Sequence, residues 1–118
     1  NANTELFDTA SCYNNTGSTV GSIPAYAFLP NVAGYYLVCI SVEMNASSAS
    51  GVRIYKNGLN FKEGYAVNGV GANATISSIM SLNGTTDYVQ AYVYSNNAIT
   101  AYIQTQSNEF SSCFLRSN

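Results

Sequence analysis

The carboxylates and cysteines are the side chains of this sequence most suited to chemistry, because the chain contains no histidine. Histidine is the commonest general base and the commonest metal ligand in proteins. A base would therefore have to be a lysine or one of six carboxylates, which are Glu5, Asp8, Glu43, Glu63, Asp87 and Glu109. None of them stands in a motif that pairs it with a nucleophile or a second carboxylate. We expect no catalytic residues and no enzymatic activity.

Motifs for metals and cofactors are not recognisable in the sequence either. The glycines of Gly69-Val70-Gly71 are not followed by the Lys-Ser or Lys-Thr pair and the helix of a phosphate-binding loop. The carboxylates are not clustered, whereas calcium needs several oxygen ligands at one place. We expect no metal site and no cofactor.

Cysteine count and spacing limit what the thiols can do. The chain has three, Cys12, Cys39 and Cys113, so at least one is unpaired within a chain. Their spacing lacks the close pairs of a zinc site. We expect free, buried thiols, with a Cys39–Cys113 disulfide as the alternative.

Charge is scarce in this chain, and its distribution excludes several partners. Charged residues make up 8% of the sequence, against about 25% in typical domains. The net charge is −2 and the basic residues are scattered, which argues against nucleic acid as a partner. No apolar run is long enough to predict membrane insertion. Such a surface is typical either of a secreted or virion protein, or of a domain whose surface is covered in an oligomer; we favour the oligomer.

The pattern of apolar residues predicts an all-β fold, in which strands must position any binding residue. The clearest strand is Gly34 to Met44, where Tyr36, Val38 and Ile40 begin one apolar face. Its opposite face begins with Tyr35, Leu37 and Cys39, so the first half of that face is also apolar, and it continues with Ser41 and Glu43. A strand with two apolar faces is expected to be covered on both sides.

Other strands follow from the same alternation and from turn residues. Asn57-Gly58 predicts a hairpin between Val52–Tyr55 and Leu59–Ala66, because both turn residues tolerate positive φ. Gly64, Gly69 and Gly71 predict a flexible loop after it. The remaining predicted strands are Leu6–Tyr13, Ala25–Leu29, Ala74–Leu82, Asp87–Ser95, Ile99–Gln104 and Phe110–Arg116. With no internal repeat or boundary, residues 1–118 read as one domain.

The strand at Asp87–Ser95 also has two faces that a core or an interface could cover. One face carries Val89, Ala91 and Val93. The other is rich in tyrosine and consists of Tyr88, Gln90, Tyr92 and Tyr94.

Four segments occur in an order that matches a known family. They are Phe7-Asp8 with Cys12-Tyr13-Asn14 and Gly17, the stretch Phe28-Leu29-Pro30-Asn31-Val32-Ala33-Gly34-Tyr35-Tyr36, the hairpin Ile54-Tyr55-Lys56-Asn57-Gly58, and Phe110-Ser111-Ser112-Cys113-Phe114-Leu115. The set resembles the opening, central, hairpin and closing strands of the complement C1q globular-head and tumour-necrosis-factor-like jelly roll. The closing strand departs from the family by carrying Ser112 or a neighbour where glycine is usual.

This resemblance implies a ten-stranded jelly-roll sandwich that assembles as a homotrimer. In the family, the opening, central and closing strands share one sheet whose outer face packs around the threefold axis. The resemblance then places the three cysteines on one sheet. It implies a trimer interface made of Tyr35, Leu37, Cys39, Tyr88, Gln90, Tyr92, Tyr94 and Cys113.

A narrower likeness suggests a role. Leu82-Asn83-Gly84-Thr85-Thr86-Asp87-Tyr88-Val89 is similar to stretches of C1q-like domains at the ends of bacteriophage tail fibres. We therefore expect the C-terminal piece of a longer fibre protein on the virion surface, which binds a host-surface glycan or protein. The alternatives are a purely structural trimerisation cap or virion decoration domain, and a secreted C1q-like recognition domain of innate defence.

Contacts with a receptor are expected from loops, which carry most binding residues on rigid scaffolds. The candidate loop residues are Asn14, Asn15, Asn45, Ser47, Tyr65, Asn68, Asn73, Asn96 and Asn97. The ten tyrosines suggest sugar-binding platforms, since a tyrosine ring stacks on the apolar face of a sugar. The other interpretation is that the tyrosines fill the core and the trimer interface.

Overall fold

A computed structural model describes residues 8–46, 49–66, 69–96, 99–101 and 108–117. These residues form strands and no helix, as the sequence predicts. The strands are β1 (Ala27–Phe28), β2 (Gly34–Ala46), β3 (Ser50–Lys56), β4 (Leu59–Ala66), β5 (Gly69–Leu82), β6 (Val89–Ser95), β7 (Ile99–Ala101) and β8 (Glu109–Arg116). Every pairing between them is antiparallel.

The strands divide into two sheets. The first sheet has the order β1-β6-β3-β4. The second sheet is built around β2, which pairs with β5 along one edge and with β7 and β8 along the other. The arrangement is compatible with a β-sandwich.

The pairings are nested around the β3–β4 hairpin. Asn57 and Gly58 form its turn with φ values of 53° and 77°, the left-handed backbone that an Asn-Gly turn supplies. The strands on either side of this hairpin, β2 and β5, pair with each other, and so do β1 and β6 outside them. The chain thus folds back on itself along most of its length, and β8 returns to lie beside β2.

The core lies between the sheets, where the inward faces of the strands meet. From β2 it receives Val38, Ile40 and Met44, and from β3 it receives Val52 and Ile54; all five are at most 2% exposed. The alternation seen in the sequence therefore selects the inner face of β2 correctly.

Several boundaries differ from the sequence predictions. The predicted loop at Gly69 and Gly71 is wrong, because both lie in β5, which extends to pair Gly69 with Ala46. Residues 8–13 form a turn with one isolated bridge, Tyr13 to Phe28, rather than a strand. The described residues contain eight strands, so the predicted ten are not reached within this part of the chain.

Candidate functional site

The outer face of the second sheet is the first surface that the structure assembles. Because Tyr36, Val38 and Ile40 point into the core, the alternate residues Tyr35, Leu37 and Cys39 point outward. These three are half-buried in the single chain rather than fully covered.

An apolar row crosses this sheet at Leu37. Its neighbours across the two pairings are Ile79 of β5 and Cys113 of β8. Ile79 is 59% exposed, and a groove of about 190 Å³ runs beside the row between Leu37, Cys39 and Cys113. We call Tyr35, Leu37, Cys39, Ile79 and Cys113 the apolar face.

The cysteines are less close together than the resemblance implied. Cys39 and Cys113 lie on the paired strands β2 and β8, offset by two residues along the register. Cys12 is not on that sheet; it is buried beside β1, where its carbonyl accepts a hydrogen bond from the Leu29 amide at 2.8 Å. All three thiols are free, as predicted, but only Cys12 is buried, because Cys39 is half-buried and Cys113 is exposed on the outer face of the sheet. Burial raises the pKa of Cys12.

The tyrosine-rich strand β6 does not lie in the same sheet as β2, which carries the other residues of the predicted interface. Strand β6 belongs to the first sheet and pairs with β1 and β3, not with any strand of the second sheet. Gln90, Tyr92 and Tyr94 point outward from the first sheet, and Tyr88 precedes β6 and lies beside the Asn57-Gly58 turn. None of these four residues therefore extends the apolar face. The two sets of predicted interface residues therefore lie on different sheets, whose outer faces point to opposite sides, and they do not form one continuous surface.

Tyr92 and Tyr94 instead form part of a second surface, on the outer face of the first sheet. Val52 and Ile54 point into the core, so Arg53 and Tyr55 point outward from β3. The neighbours of Arg53 are Tyr92 on β6 and Glu63 on β4. The next position, Gly51, lies between Tyr94 and Tyr65, while Tyr55 lies between Gln90 and Asn60. We call Arg53, Tyr55, Glu63, Tyr65, Tyr92 and Tyr94 the tyrosine face.

An ion pair occupies the middle of the tyrosine face. Arg53 Nε donates to Glu63 Oε2 at 2.7 Å, and the guanidinium carbon lies 3.9 Å from the centre of the Tyr94 ring. The hydrogen bond from Arg53 holds the pKa of Glu63 down to about 2. Burial and the Glu63 carboxylate raise the pKa of Tyr94, although its hydroxyl does not meet the geometry of a hydrogen bond with that carboxylate.

Aromatic rings flank this ion pair on both sides. The ring centres of Tyr55 and Tyr92 are 4.5 Å apart, and those of Tyr65 and Tyr94 are 6.1 Å apart with planes at 83°. Tyr65 is 73% exposed and Tyr92 46% exposed. The surface can therefore offer ring faces and charged hydrogen-bonding groups side by side to a molecule in solution.

Asn14, a candidate loop residue, is a structural residue instead. It is 4% exposed, and its Nδ2 lies within 3.1 Å of the carbonyl oxygens of Ser18, Ile23 and Pro24. Its Oδ1 accepts hydrogen bonds from the amide and hydroxyl of Thr16. The side chain therefore holds the 14–24 loop together and has no group left to offer a ligand.

The other candidate loop residues do not form one site in the described part of the chain. Asn15 is half-buried, and Asn96 is exposed. Asn45 is exposed but lies within β2, and Tyr65 lies within β4, so neither is a loop residue as predicted. Asn73 is exposed but lies within β5, where its Oδ1 accepts a hydrogen bond from Ser41. Ser47, Asn68 and Asn97 fall outside the described residues.

Three residues of these two faces were not predicted from the sequence as site residues: Arg53, Glu63 and Ile79. The isoleucine could have been found, since pairing β2 with the strand containing Ile79 places one outward apolar residue beside another. The ion pair depends on a register shift between Ile54 and Tyr55, and no residue type in the sequence predicts that shift.

Within the described residues, no group of three metal-binding side chains lies close enough to hold an ion. The same part of the chain contains no helix that is long and apolar enough to cross a membrane. No protein-family model matches the sequence, and a search of curated proteins finds no match.

Proposed function

We propose that the chain is a homotrimeric jelly-roll domain at the tip of a viral fibre, from a bacteriophage, which recognises a host-surface glycan or protein. The nested pairing of β3 with β4, β2 with β5 and β1 with β6 supports the jelly roll. So does the position of β8 beside β2, which agrees with the order of the sequence segments that resemble the C1q family.

The observation that carries the proposal is the apolar face. A soluble chain that presents Leu37, Ile79 and Cys113 in one row exposes apolar surface of the kind that marks interaction sites. Packing three copies around an axis that passes this face removes the row from water in every chain. The trimer interface therefore consists of Tyr35, Leu37, Cys39, Ile79 and Cys113, without the residues of β6.

A trimer suits attachment to a host surface, because three linked sites bind a repeated receptor with an effective concentration that one site lacks. The low charge and the wealth of Asn, Ser and Thr suit an extracellular particle. No step of this function is catalytic.

A structural cap without a ligand is the second candidate, and one observation favours it. Asn14 uses its side chain inside its own loop, which removes one residue expected to contact a receptor. A cap would trimerise the fibre through the same apolar face and bind nothing.

A cell-binding experiment separates these two functions. The fluorescently labelled chain is applied to a panel of bacterial strains, with and without periodate or protease treatment of the cells. Binding to some strains that either treatment removes supports recognition, and binding to none supports the cap. The Ile79→Asp variant, expected to be monomeric, should bind at least tenfold more weakly. Leu59→Asp, at the exposed start of β4, should keep both the trimer and the binding.

A further inference from the structure

The tyrosine face combines features that a subunit interface does not need. It lies on the opposite side of the chain from the apolar face, and Tyr65 presents 73% of its surface to solvent. We propose that the tyrosine face binds a neutral saccharide. This inference rests on the proposed function and gives the host-surface ligand a chemical class and a place.

Ring stacking is the first contribution to such a site. The C–H face of a pyranose packs on an aromatic ring because both surfaces are apolar and flat. Tyr92 and Tyr65 are the most exposed rings of the face, and they lie on the two strands that flank β3. A saccharide that spans β3 can therefore contact one ring with each end.

Hydrogen bonding is the second contribution, and the groups between the rings supply it. A guanidinium has five N–H donors, and Arg53 uses Nε on Glu63. The two Glu63 oxygens have about four acceptor positions, of which Oε2 receives Arg53 and Asn60. Sugar hydroxyls both donate and accept, so one hydroxyl can accept from Arg53 while another donates to Glu63.

Charge selects the class of saccharide. The one cation and the one anion of the tyrosine face are paired at 2.7 Å, so the surface has no net charge to offer. Lys56 of the β3–β4 hairpin and Asp87 of the loop before β6 are also paired, at 3.0 Å. An anionic sugar would have to compete with Glu63 for Arg53, whereas a neutral sugar leaves the ion pair intact.

The absence of a side chain at Gly51 lets the ring of Tyr94 lie close to the backbone of β3. A Cβ on Gly51 would lie 2.8 Å from Tyr94 Cε1 and 2.1 Å from the Gly64 carbonyl oxygen. Only glycine lets Tyr94 lie over β3 and place its ring against the Arg53 guanidinium. The stacked Tyr94 fixes the direction of that guanidinium, which spares a ligand the cost of ordering it.

Saturation-transfer NMR with simple sugars tests the proposal on the full chain. The probes are the methyl glycosides of glucose, galactose, mannose and N-acetylglucosamine, with sialyllactose as the anionic comparison. At least one neutral glycoside should give a signal that Tyr92→Ala and Tyr65→Ala each reduce about tenfold. Tyr92→Phe should keep most of the signal, because the ring remains. Tyr26 lies beside Gly17, outside the tyrosine face, and is 40% exposed, so Tyr26→Ala should leave the signal unchanged.

Light scattering on each sample makes the two proposals separable. Three results would overturn the saccharide site and leave the trimer unaffected. In the first, a trimeric wild type binds none of the glycosides; in the second, it binds sialyllactose alone. In the third, the Tyr65→Ala/Tyr92→Ala double variant keeps the signal. A Tyr92→Ala variant that becomes monomeric also overturns it, because the tyrosine face is then a subunit interface. A monomeric wild type contradicts the proposed function, whatever the sugars do.

Discussion

At the scale of single residues, Asn14 shows how a side chain in a surface loop can serve the fold. Its amide is buried and bonds with the backbone of Ser18, Ile23 and Pro24 and with Thr16. Asn14→Ala should lower the free energy of unfolding by about 2–3 kcal/mol, because four part-buried backbone groups lose their hydrogen-bond partner. Urea denaturation at a fixed chain concentration measures this loss.

The neighbouring residue is the matched control for that change. Asn15→Ala alters a half-buried side chain of the same loop and should stay within about 0.5 kcal/mol of the wild type. Equal effects of the two substitutions would show that the hydrogen bonds of Asn14 do not hold the loop.

Glu63 should make the stability of the protein depend on pH in acid. Its pKa is about 2 in the fold, below its ordinary value of 4.5, so the ionised carboxylate stabilises the folded state. That stabilisation is complete above about pH 4.5 and is lost as the pH falls through about 2. In Glu63→Gln, stability should therefore fall less steeply between about pH 5 and pH 2, as measured by urea midpoints across that range.

The exposed Glu109 provides the comparison for this slope. Glu109→Gln removes one carboxylate but leaves the ion pair of Arg53 and Glu63 in place, so it controls for the loss of one negative charge. If Glu63→Gln and the wild type lose stability with the same slope, the ion pair does not contribute to the fold.

At the scale of elements, the β3–β4 hairpin shows what the sequence can and cannot predict. Asn57-Gly58 identifies the turn correctly, and Lys56 pairs with Leu59 as a two-residue turn requires. A regular ladder would then place Arg53 opposite Lys62. The register shift between Ile54 and Tyr55 places Arg53 opposite Glu63 instead, so opposite charges meet. Because bulges have no strong sequence signature, the centre of the tyrosine face was not predictable.

Asn57 also ties this hairpin to the loop before β6. Its Nδ2 donates to Asp87 at 2.7 Å, and its Oδ1 accepts from the Tyr88 amide at 2.9 Å. Asn57→Gly keeps a residue that tolerates the φ of 53° but removes both hydrogen bonds, so it should cost about 1–2 kcal/mol. Asn57→Ala should cost about 1 kcal/mol more, because alanine is strained in the left-handed region.

Thermal and urea unfolding of the two variants at one chain concentration gives the free energy of the backbone strain and that of the two lost hydrogen bonds. The difference between Gly and Ala measures the backbone strain, and the difference between Gly and the wild type measures the tie to the loop. A glycine variant as stable as the wild type would mean that this tie contributes nothing.

At the scale of the whole molecule, the sequence predicts the strands better than their assignment to sheets. Period-two alternation identified the two faces of β2, because apolar residue types at every second position indicate which side of the strand is buried. Whether β6 lies beside β2 or beside β3 depends on how the chain crosses between layers, and alternation is the same in either place. For that reason Tyr92 and Tyr94 were grouped with Leu37, although they lie on another sheet.

The free thiols lead to a prediction about assembly. Cys39 and Cys113 belong to the apolar face but form no disulfide, so packing rather than covalent bonding should hold the subunits of the proposed trimer. A reducing agent should leave the oligomeric state unchanged in gel filtration. A shift to a smaller species after reduction would show that a disulfide between chains holds the assembly.

The central claim is that the apolar face is buried between three copies of the chain. Light scattering of the wild-type protein in solution measures this most directly, since one chain has a mass of 12.6 kDa. We predict a mass three times that of the chain, which falls to the single-chain mass in Ile79→Asp and stays trimeric in Tyr92→Asp. A wild type that runs as a monomer at every concentration would contradict the account.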